Sequence, residues 1–260
     1  MEMPVNHFKR AIASGDTPYG VWLVSGSAAN AEALGCAGFD FLVLDTEHTP
    51  IDTAQVADIL RAISTTPAST IVRPAWNDMV IIKRLLDAGA QSLLIPFVQT
   101  AEEAKRAVSY TRYPPEGVRG VAGVHRGSRY GSVPNYHKLA GAEICVIVQI
   151  ETLAALDHLP AIAAVAGVDS IFVGPADLSA SMGHLGDMNN PAVLDKLRSA
   201  AQTCRQLGKP CGIVGANPEI VRRYLDFGYS WVAINSDVGL MVGRATEWLG
   251  QVKSGGPRAA

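Results

Sequence analysis

The chain has 260 residues, a formal net charge of −2 and 48% hydrophobic residues, so it is long enough to bury a large core within one domain. Basic and acidic residues are mixed along the sequence, and the lack of a basic block argues against nucleic-acid or anionic-membrane binding. No apolar run approaches the roughly 20 residues of a membrane span, and the first ten residues lack a signal-peptide core, so we expect a cytoplasmic protein.

Short apolar runs alternate with stretches of helical period along the whole chain. The predicted strands are Gly20–Val24, Phe41–Asp45, Thr70–Pro74, Ser92–Phe97, Ile144–Ile150, Ser170–Val173, Gly212–Val214 and Trp231–Ile234. The predicted helices include Thr53–Ile63, Met79–Ala88, Ala101–Tyr110, Ala192–Leu207 and Glu219–Phe227. Continuous apolar runs are typical of parallel strands that helices cover on both faces. Eight such units in a row predict an α/β protein with a (β/α)8 barrel, also called a TIM barrel.

The two ends of the chain and one internal segment depart from this rhythm. We expect a single barrel domain over residues 1–260, with an N-terminal helix or cap in about residues 1–18 and a flexible tail at residues 254–260. Residues 113–136 have the length and composition of a functional loop after the fourth unit. The arginines Arg119, Arg126 and Arg129 in this loop suit either an anionic substrate or a subunit contact, and the sequence does not separate these roles.

Acidic residues follow two adjacent predicted strands. Catalytic groups of such barrels lie at the carboxyl ends of the strands, so Glu151 and Asp177 should reach the same rim. Two carboxylates, waters and a chelating substrate make an oxygen-rich site suited to Mg²⁺ or Mn²⁺, with Co²⁺ or Zn²⁺ also possible. The alternative is that both acids pair with nearby arginines.

Other polar residues at strand ends are candidates for catalysis. His48 lies in an acid-rich turn, where it can act as a base, a ligand or a packed histidine. Asp87, at the end of a predicted helix, is a candidate to orient it, although the sequence does not place the two side by side. Arg73 ends the third strand and can either hold an oxyanion or pair with an acid.

A run of small residues follows the sixth predicted strand. Gly174, Pro175 and Ala176 let the backbone approach a ligand closely. The amides of Ala176 and Asp177 can therefore hold a carboxylate.

Taken together, these segments resemble the HpcH/HpaI aldolase family, the class II pyruvate aldolases typified by 4-hydroxy-2-oxoheptanedioate aldolase. The matching stretches are Asp45–His48, Arg73–Pro74, Leu86–Ala90, Pro115–Gly120, Gln149–Glu151 and Phe172–Ser179. They occur in the family's order, and the ordered set is far more specific than any one stretch.

The resemblance implies reversible retro-aldol cleavage of a 4-hydroxy-2-oxo acid to pyruvate and an aldehyde. In that reaction Glu151 and Asp177 would bind the divalent metal that chelates pyruvate and stabilises its enolate. Gln149 and the backbone from Gly174 to Asp177 would help to seat the metal-bound unit.

The resemblance also assigns the proton transfer and the assembly. Arg73 would stabilise the enolate oxygen, and His48, oriented by Asp87, would move the proton. Family members are typically hexamers, trimers of dimers, in which a C-terminal helix packs on a neighbour, and Val238–Val252 would supply that helix.

Three other functions remain possible on the same scaffold. The first is a 2-keto-3-deoxy sugar-acid aldolase and the second a citramalyl-CoA or malyl-CoA lyase. The third, from a different class, is a non-catalytic barrel that binds oxo acids. A simple binder does not require proton-transfer groups, which argues against this third function given the presence of His48, Arg73, Glu151 and Asp177.

Overall fold

The computed structural model describes residues 1–254 and contains a closed parallel barrel whose strands follow one another in chain order. The strands are β1 (Tyr19–Leu23), β2 (Phe41–Asp45), β3 (Ser69–Arg73), β4 (Ser92–Ile95), β5 (Cys145–Ile150), β6 (Ser170–Val173), β7 (Cys211–Gly215) and β8 (Trp231–Ser236). The barrel closes where β8 pairs with β1, with Val232 opposite Tyr19. The predicted (β/α)8 barrel is confirmed.

Helices surround the barrel, and the long helices of each unit run back from the carboxyl end of one strand to the start of the next. Within residues 1–254 the helices are α1 (His7–Ser14), α2 (Ala28–Cys36), α3 (Thr53–Ile63), α4 (Met79–Asp87), α5 (Ala101–Thr111), α6 (Tyr136–Glu143), α7 (Leu153–Asp157), α8 (Leu159–Ala163), α9 (Pro175–Ser181), α10 (Pro191–Gln206), α11 (Pro218–Phe227) and α12 (Asp237–Ser254). None of them is long and apolar enough to cross a membrane. Ser254 ends α12, and the rest of the expected tail lies outside the described residues.

The strands send alternate side chains to opposite faces, as the pleat of a β-strand requires. In β2, Phe41 and Val43 join the aromatic-rich cluster inside the barrel. Leu42 and Leu44 join the larger cluster between strands and helices. Asp45, two residues beyond Val43, continues the inward row at the carboxyl end.

The same two-residue period positions the polar groups of β3 and β5. Ile71 in β3 and Ile147 in β5 lie in the interior cluster. Arg73, Gln149 and Glu151 follow these inward residues at even spacing, so they reach the carboxyl-end opening of the barrel. Burial of the hydrophobic side chains thereby directs the polar and charged side chains of the same strands to the opening.

The amino end of the barrel is plugged. The ring of Phe8 in α1 lies 5.1 Å from that of Phe41 and 5.3 Å from that of Trp231. Glycines make room for these rings, because a Cβ at Gly20 would lie 2.3 Å from Phe41 and one at Gly212 would lie 2.1 Å from Trp231. A small molecule can therefore enter this barrel from the carboxyl end.

Candidate active site

A cavity of about 490 Å³ opens at the carboxyl ends of the strands. His48, Arg73, Gln149 and the run Gly174–Asp177 line it, as do side chains from the ends of β1, β7 and β8. Glu151 lies just behind this lining and is almost fully buried. The structure thus gathers most of the sequence-predicted site residues around one opening.

Arg73 forms a fixed fork at the floor of the cavity. Its Nε and Nη2 donate to Asp45 at 2.9 and 2.8 Å, and its Nη1 forms an ion pair with Glu47 at 2.7 Å. The guanidinium also lies over the Trp22 ring, 4.3 Å from the centroid. A guanidinium has five N–H donors, and the two hydrogen bonds to Asp45 use two of them, so N–H groups remain for an oxygen in the cavity. Arg73 therefore pairs with acids and can still hold an oxyanion.

Asp45 and Glu47 are functional candidates to which the sequence analysis gave no role. The period of β2 carries the signal for Asp45, because it is the third member of the inward row that starts at Phe41. The position of Glu47 depends on the turn after the strand, where its N–H donates to Asp45 at 3.0 Å. Burial raises the pKa of Glu47, and the neighbouring Arg73 opposes this effect.

Glu151 is held at both carboxylate oxygens. Its Oε1 accepts from the N–H of Phe97 at 2.8 Å, and its Oε2 accepts from the side-chain amide of Gln149. Phe97 can aim its N–H this way because its φ is +53°, in the left-handed region that non-glycine residues rarely adopt. A Cβ at Gly174 would lie 2.9 Å from Glu151 Oε2, so glycine allows the β6 end to approach the carboxylate.

The electrostatics around Glu151 suit a cation. Burial raises the pKa of Glu151 to about 7, and the negative charges of Asp177 and Glu47 add to the increase. Within residues 1–254, Gln149 also leaves its buried Oε1 without a hydrogen-bond partner. A divalent cation between Glu151 and Asp177 would relieve this repulsion, so the residues fit a metal.

The number of protein ligands available is small. Among residues 1–254, no group of three or more His, Cys, Asp or Glu side chains is arranged to hold a metal ion. A metal at Glu151 and Asp177 would therefore take its remaining ligands from substrate and water, as the sequence analysis expected. Ala176 and Asp177 belong to the first turn of α9, where backbone N–H groups lack helical partners and can bind a carboxylate.

His48 and Asp87 do not meet within one chain. The His48 ring is mostly exposed at the mouth, with its Nε2 3.8 Å from Glu47. Asp87 ends α4, which runs antiparallel to the strands, so it lies at the amino end of the barrel. There it accepts from Arg119 Nη2 at 2.7 Å and lies 3.8 Å from His125 Nε2. Direct orientation of His48 by Asp87 therefore does not occur within a single chain.

The long loop expected to be functional also packs at the amino end. Arg126 donates to the carbonyl of Ala88 at 3.1 Å and to that of Leu60 at 3.2 Å. Arg119 is fully buried. These arginines do not line the cavity of their own chain, so they do not contact a substrate held there.

The fold and the carboxylate-rich cavity at its open end define a barrel enzyme. A family model described as HpcH/HpaI aldolase/citrate lyase matches residues 18–243. The chain therefore belongs to the HpcH/HpaI aldolase/citrate lyase family, and the resemblance noted in the sequence is confirmed. It is a carbon–carbon lyase, which confirms the expected enzyme class.

Curated relatives and a solved structure match nearly the whole chain. A pyruvate aldolase of Rhizobium etli is 47% identical over 241 residues, covering 93% of this chain and 95% of that protein. A 4-hydroxy-2-oxo-heptane-1,7-dioate aldolase of Klebsiella pneumoniae is 49% identical over 237 residues, covering 91% of this chain and 89% of that protein. The crystal structure of an HpcH/HpaI aldolase/citrate lyase family protein from Burkholderia cenocepacia has a TM-score of 0.93 and 38% identity, covering 96% of this chain and 100% of that one.

Proposed function

We propose that the protein is a class II pyruvate aldolase, which reversibly cleaves a 4-hydroxy-2-oxo acid to pyruvate and an aldehyde. The observation that carries this proposal is a pair of interacting carboxylates at the cavity that Arg73 also lines: Asp177 belongs to the lining, and Glu151 lies just behind it. The names of the curated relatives support the same reaction.

A divalent metal held by Glu151 and Asp177 would supply Lewis-acid polarisation of the keto group. Mg²⁺ or Mn²⁺ suits an oxygen-rich site best, and Co²⁺ or Zn²⁺ is the alternative. Gln149 and Phe97 fix the carboxylate of Glu151 through both of its oxygens. Little rearrangement is then needed when the cation arrives.

Arg73 would stabilise the enolate oxygen with N–H groups that Asp45 does not use. Asp45 and Glu47 hold the guanidinium in place, so its orientation does not depend on the substrate. A preorganised donor of this kind stabilises developing charge without reorganisation during the reaction. In cleavage, the proton leaves the 4-hydroxyl, the C3–C4 bond breaks, and its electron pair enters the enolate, which is protonated at C3 to give pyruvate.

His48 would move the proton, with Asp87 of another subunit as its orienting group. This second role requires assembly, because the two residues lie at opposite ends of one barrel. The surface of α12 supports an assembly: within residues 1–254 the one buried residue of this helix is Asp237, and its apolar side chains, among them Met241 and Trp248, are exposed. We propose the hexamer, a trimer of dimers; the cytoplasmic location stays a prediction.

The first test is pyruvate release from 4-hydroxy-2-oxo acids before and after treatment with EDTA, followed by addition of Mg²⁺, Mn²⁺, Co²⁺ or Zn²⁺. Activity that EDTA removes and a metal restores supports the aldolase. Absence of pyruvate with every metal would contradict it and favour a coenzyme A thioester lyase or an oxo-acid-binding barrel.

A further inference from the structure

We infer that the acceptor end of the cavity takes a short, uncharged aldehyde, preferably one with a hydroxyl group, over an aldehyde that carries a carboxylate. The inference rests on the proposed aldolase function and specifies the second substrate of the same site. It comes from the wall formed by the ends of β1, β7 and β8, which lies across the barrel from Glu151 on β5.

That wall is mainly apolar. Val24 extends from β1, Val214 and Ala216 come from the end of β7, and Met188 comes from the segment before α10. Such a surface stabilises a short carbon chain by removing it from water. These apolar side chains offer an anionic group no compensation for lost hydration.

The cations of the cavity lie elsewhere. Within residues 1–254, the basic side chains that line it are Arg73 and His48, both on the β2–β3 side. Asp45 and Glu47 already pair with Arg73, and the acidic Asp177 also lines the cavity. A carboxylate at the β7–β8–β1 wall would therefore lose hydration without a cationic partner from this chain, which is unfavourable.

Two neutral polar groups interrupt the apolar wall. Asn235 has a φ of +55°, donates from Nδ2 to the carbonyl of Ala216 at 3.0 Å and accepts from the N–H of Ser236 at 2.7 Å. One N–H of its amide remains. The Ser236 hydroxyl accepts from the N–H of Gly239 at 3.1 Å and keeps its own hydrogen for donation. Both groups can bind a hydroxyl oxygen of the aldehyde.

The test compares acceptors in the condensation with pyruvate, in two pairs of similar size. Succinic semialdehyde and pentanal differ in the terminal carboxylate, and glycolaldehyde and propionaldehyde differ in the hydroxyl. We expect kcat/KM for succinic semialdehyde to be at least about tenfold below that for pentanal, since neutral donors compensate only part of the hydration that a charged group loses. Glycolaldehyde should exceed propionaldehyde by about two- to tenfold, the worth of one hydrogen bond.

Two variants check that the wall causes these preferences. Met188→Lys adds a cation and should raise the ratio of succinic semialdehyde to pentanal by tenfold or more, about what a charge-assisted hydrogen bond contributes. In Asn235→Gly the side-chain amide is lost, but the backbone conformation is retained because glycine readily adopts a positive φ. Its ratio of glycolaldehyde to propionaldehyde should fall towards one, with the ratio for the charged pair unchanged.

Exchange of pyruvate methyl protons in D₂O, measured without aldehyde, distinguishes a failure of the acceptor inference from a failure of the proposed aldolase function. If exchange occurs and succinic semialdehyde is preferred to pentanal, the acceptor inference is overturned while the aldolase stands. If a saturating metal produces no exchange, both are overturned. Exchange together with the expected order of acceptors supports both.

Discussion

Two buried arginines, one at each end of the barrel, each lie beside an aromatic ring and an aspartate but differ in how completely they are paired. Arg73 lies 4.3 Å from the Trp22 ring centroid, and Arg119 lies 4.5 Å from that of Tyr113. Arg73 engages carboxylates through all three of its nitrogens. Arg119 bonds to Asp87 through one nitrogen, while its buried Nε and Nη1 have no hydrogen-bond partner within residues 1–254.

The difference shows which of the two arginines is fully paired within one chain. A buried donor without a partner costs about 1–3 kcal/mol, so native proteins rarely leave two on one side chain. Within residues 1–254, His125 Nε2 and the Tyr113 hydroxyl, close to Arg119, are also buried without hydrogen-bond partners. Every nitrogen of Arg73 is therefore paired within one chain, whereas Arg119 leaves room for groups from outside it, such as a second subunit or ordered water. Among the same residues, buried atoms without hydrogen-bond partners also occur at the mouth, where a substrate or metal would bind: Trp22 Nε1, Glu47 Oε2 and Gln149 Oε1.

The largest expected effect is the loss of either proposed metal ligand at the mouth. Glu151→Ala or Asp177→Ala should abolish metal binding and lower kcat/KM by about 10³-fold or more, because Lewis-acid stabilisation of the enolate is lost. Isothermal titration with Mn²⁺ and circular dichroism should show no binding and an intact fold. Asp195→Ala, an exposed acid on α10, is the matched control and should behave as wild type. Full activity of either site variant at saturating metal would refute the assigned ligands.

The next largest effect is expected for the guanidinium of Arg73. Arg73→Lys keeps the charge but cannot pair with Asp45 through two nitrogens and also reach Glu47. We expect kcat to fall about 10²- to 10³-fold, the usual loss when an oxyanion donor is removed, with a smaller change in KM. Steady-state kinetics on a 4-hydroxy-2-oxo acid measure both. An unchanged kcat would mean that Arg73 only anchors the two acids.

A smaller effect is expected at the Asp87 end of the barrel. Loss of an orienting carboxylate typically costs about 10- to 100-fold, so Asp87→Asn should lower kcat by that amount. The decisive version mixes subunits: refolding His48→Ala chains together with Asp87→Ala chains should yield more activity than either parent assembly, because some mouths then combine an intact His48 with an intact Asp87. If mixed assemblies are no more active than the parents, Asp87 does not act across subunits.

The smallest effect is on the pH dependence of the metal-free protein. The pKa of Glu151 is raised from 4.5 to about 7, so folding favours its protonated form. Its contribution to stability is fully present below about pH 4.5 and is lost as the pH rises through about 7. The melting temperature of the EDTA-treated protein should thus fall by a few degrees over this range, and Glu151→Gln should reduce the fall. An equal fall in both proteins would place the titrating group elsewhere.

The sequence predicted the barrel well because hydrophobic burial alone specifies most of it. The bounds of β2, β6 and α3 agree with prediction to the residue. The predicted fourth strand ran on to Phe97, whereas β4 ends at Ile95, because Pro96 cannot donate to a sheet and Phe97 turns into the left-handed region. Local residue type does not reveal a positive φ at a phenylalanine.

The site was predicted less completely, for two physical reasons. Position at a strand end identified Glu151 and Arg73 as rim residues, but the pairing of Arg73 with Asp45 depends on register between β2 and β3, where the two residues lie opposite each other. Asp87 was grouped with His48 through family resemblance. The direction of its helix places Asp87 at the other end of the barrel, so Asp87 can approach a His48 side chain only in an assembly of subunits.

The central question is whether the mouth of the barrel makes an enolate from pyruvate. The measurement is loss of the pyruvate methyl signal in D₂O by proton NMR, with saturating Mg²⁺ and again after removal of metal. We predict rapid exchange with metal, little exchange without it, and none in Glu151→Ala under either condition. Exchange that continues after verified metal removal, or that survives in Glu151→Ala, would contradict a metal-stabilised enolate at this site.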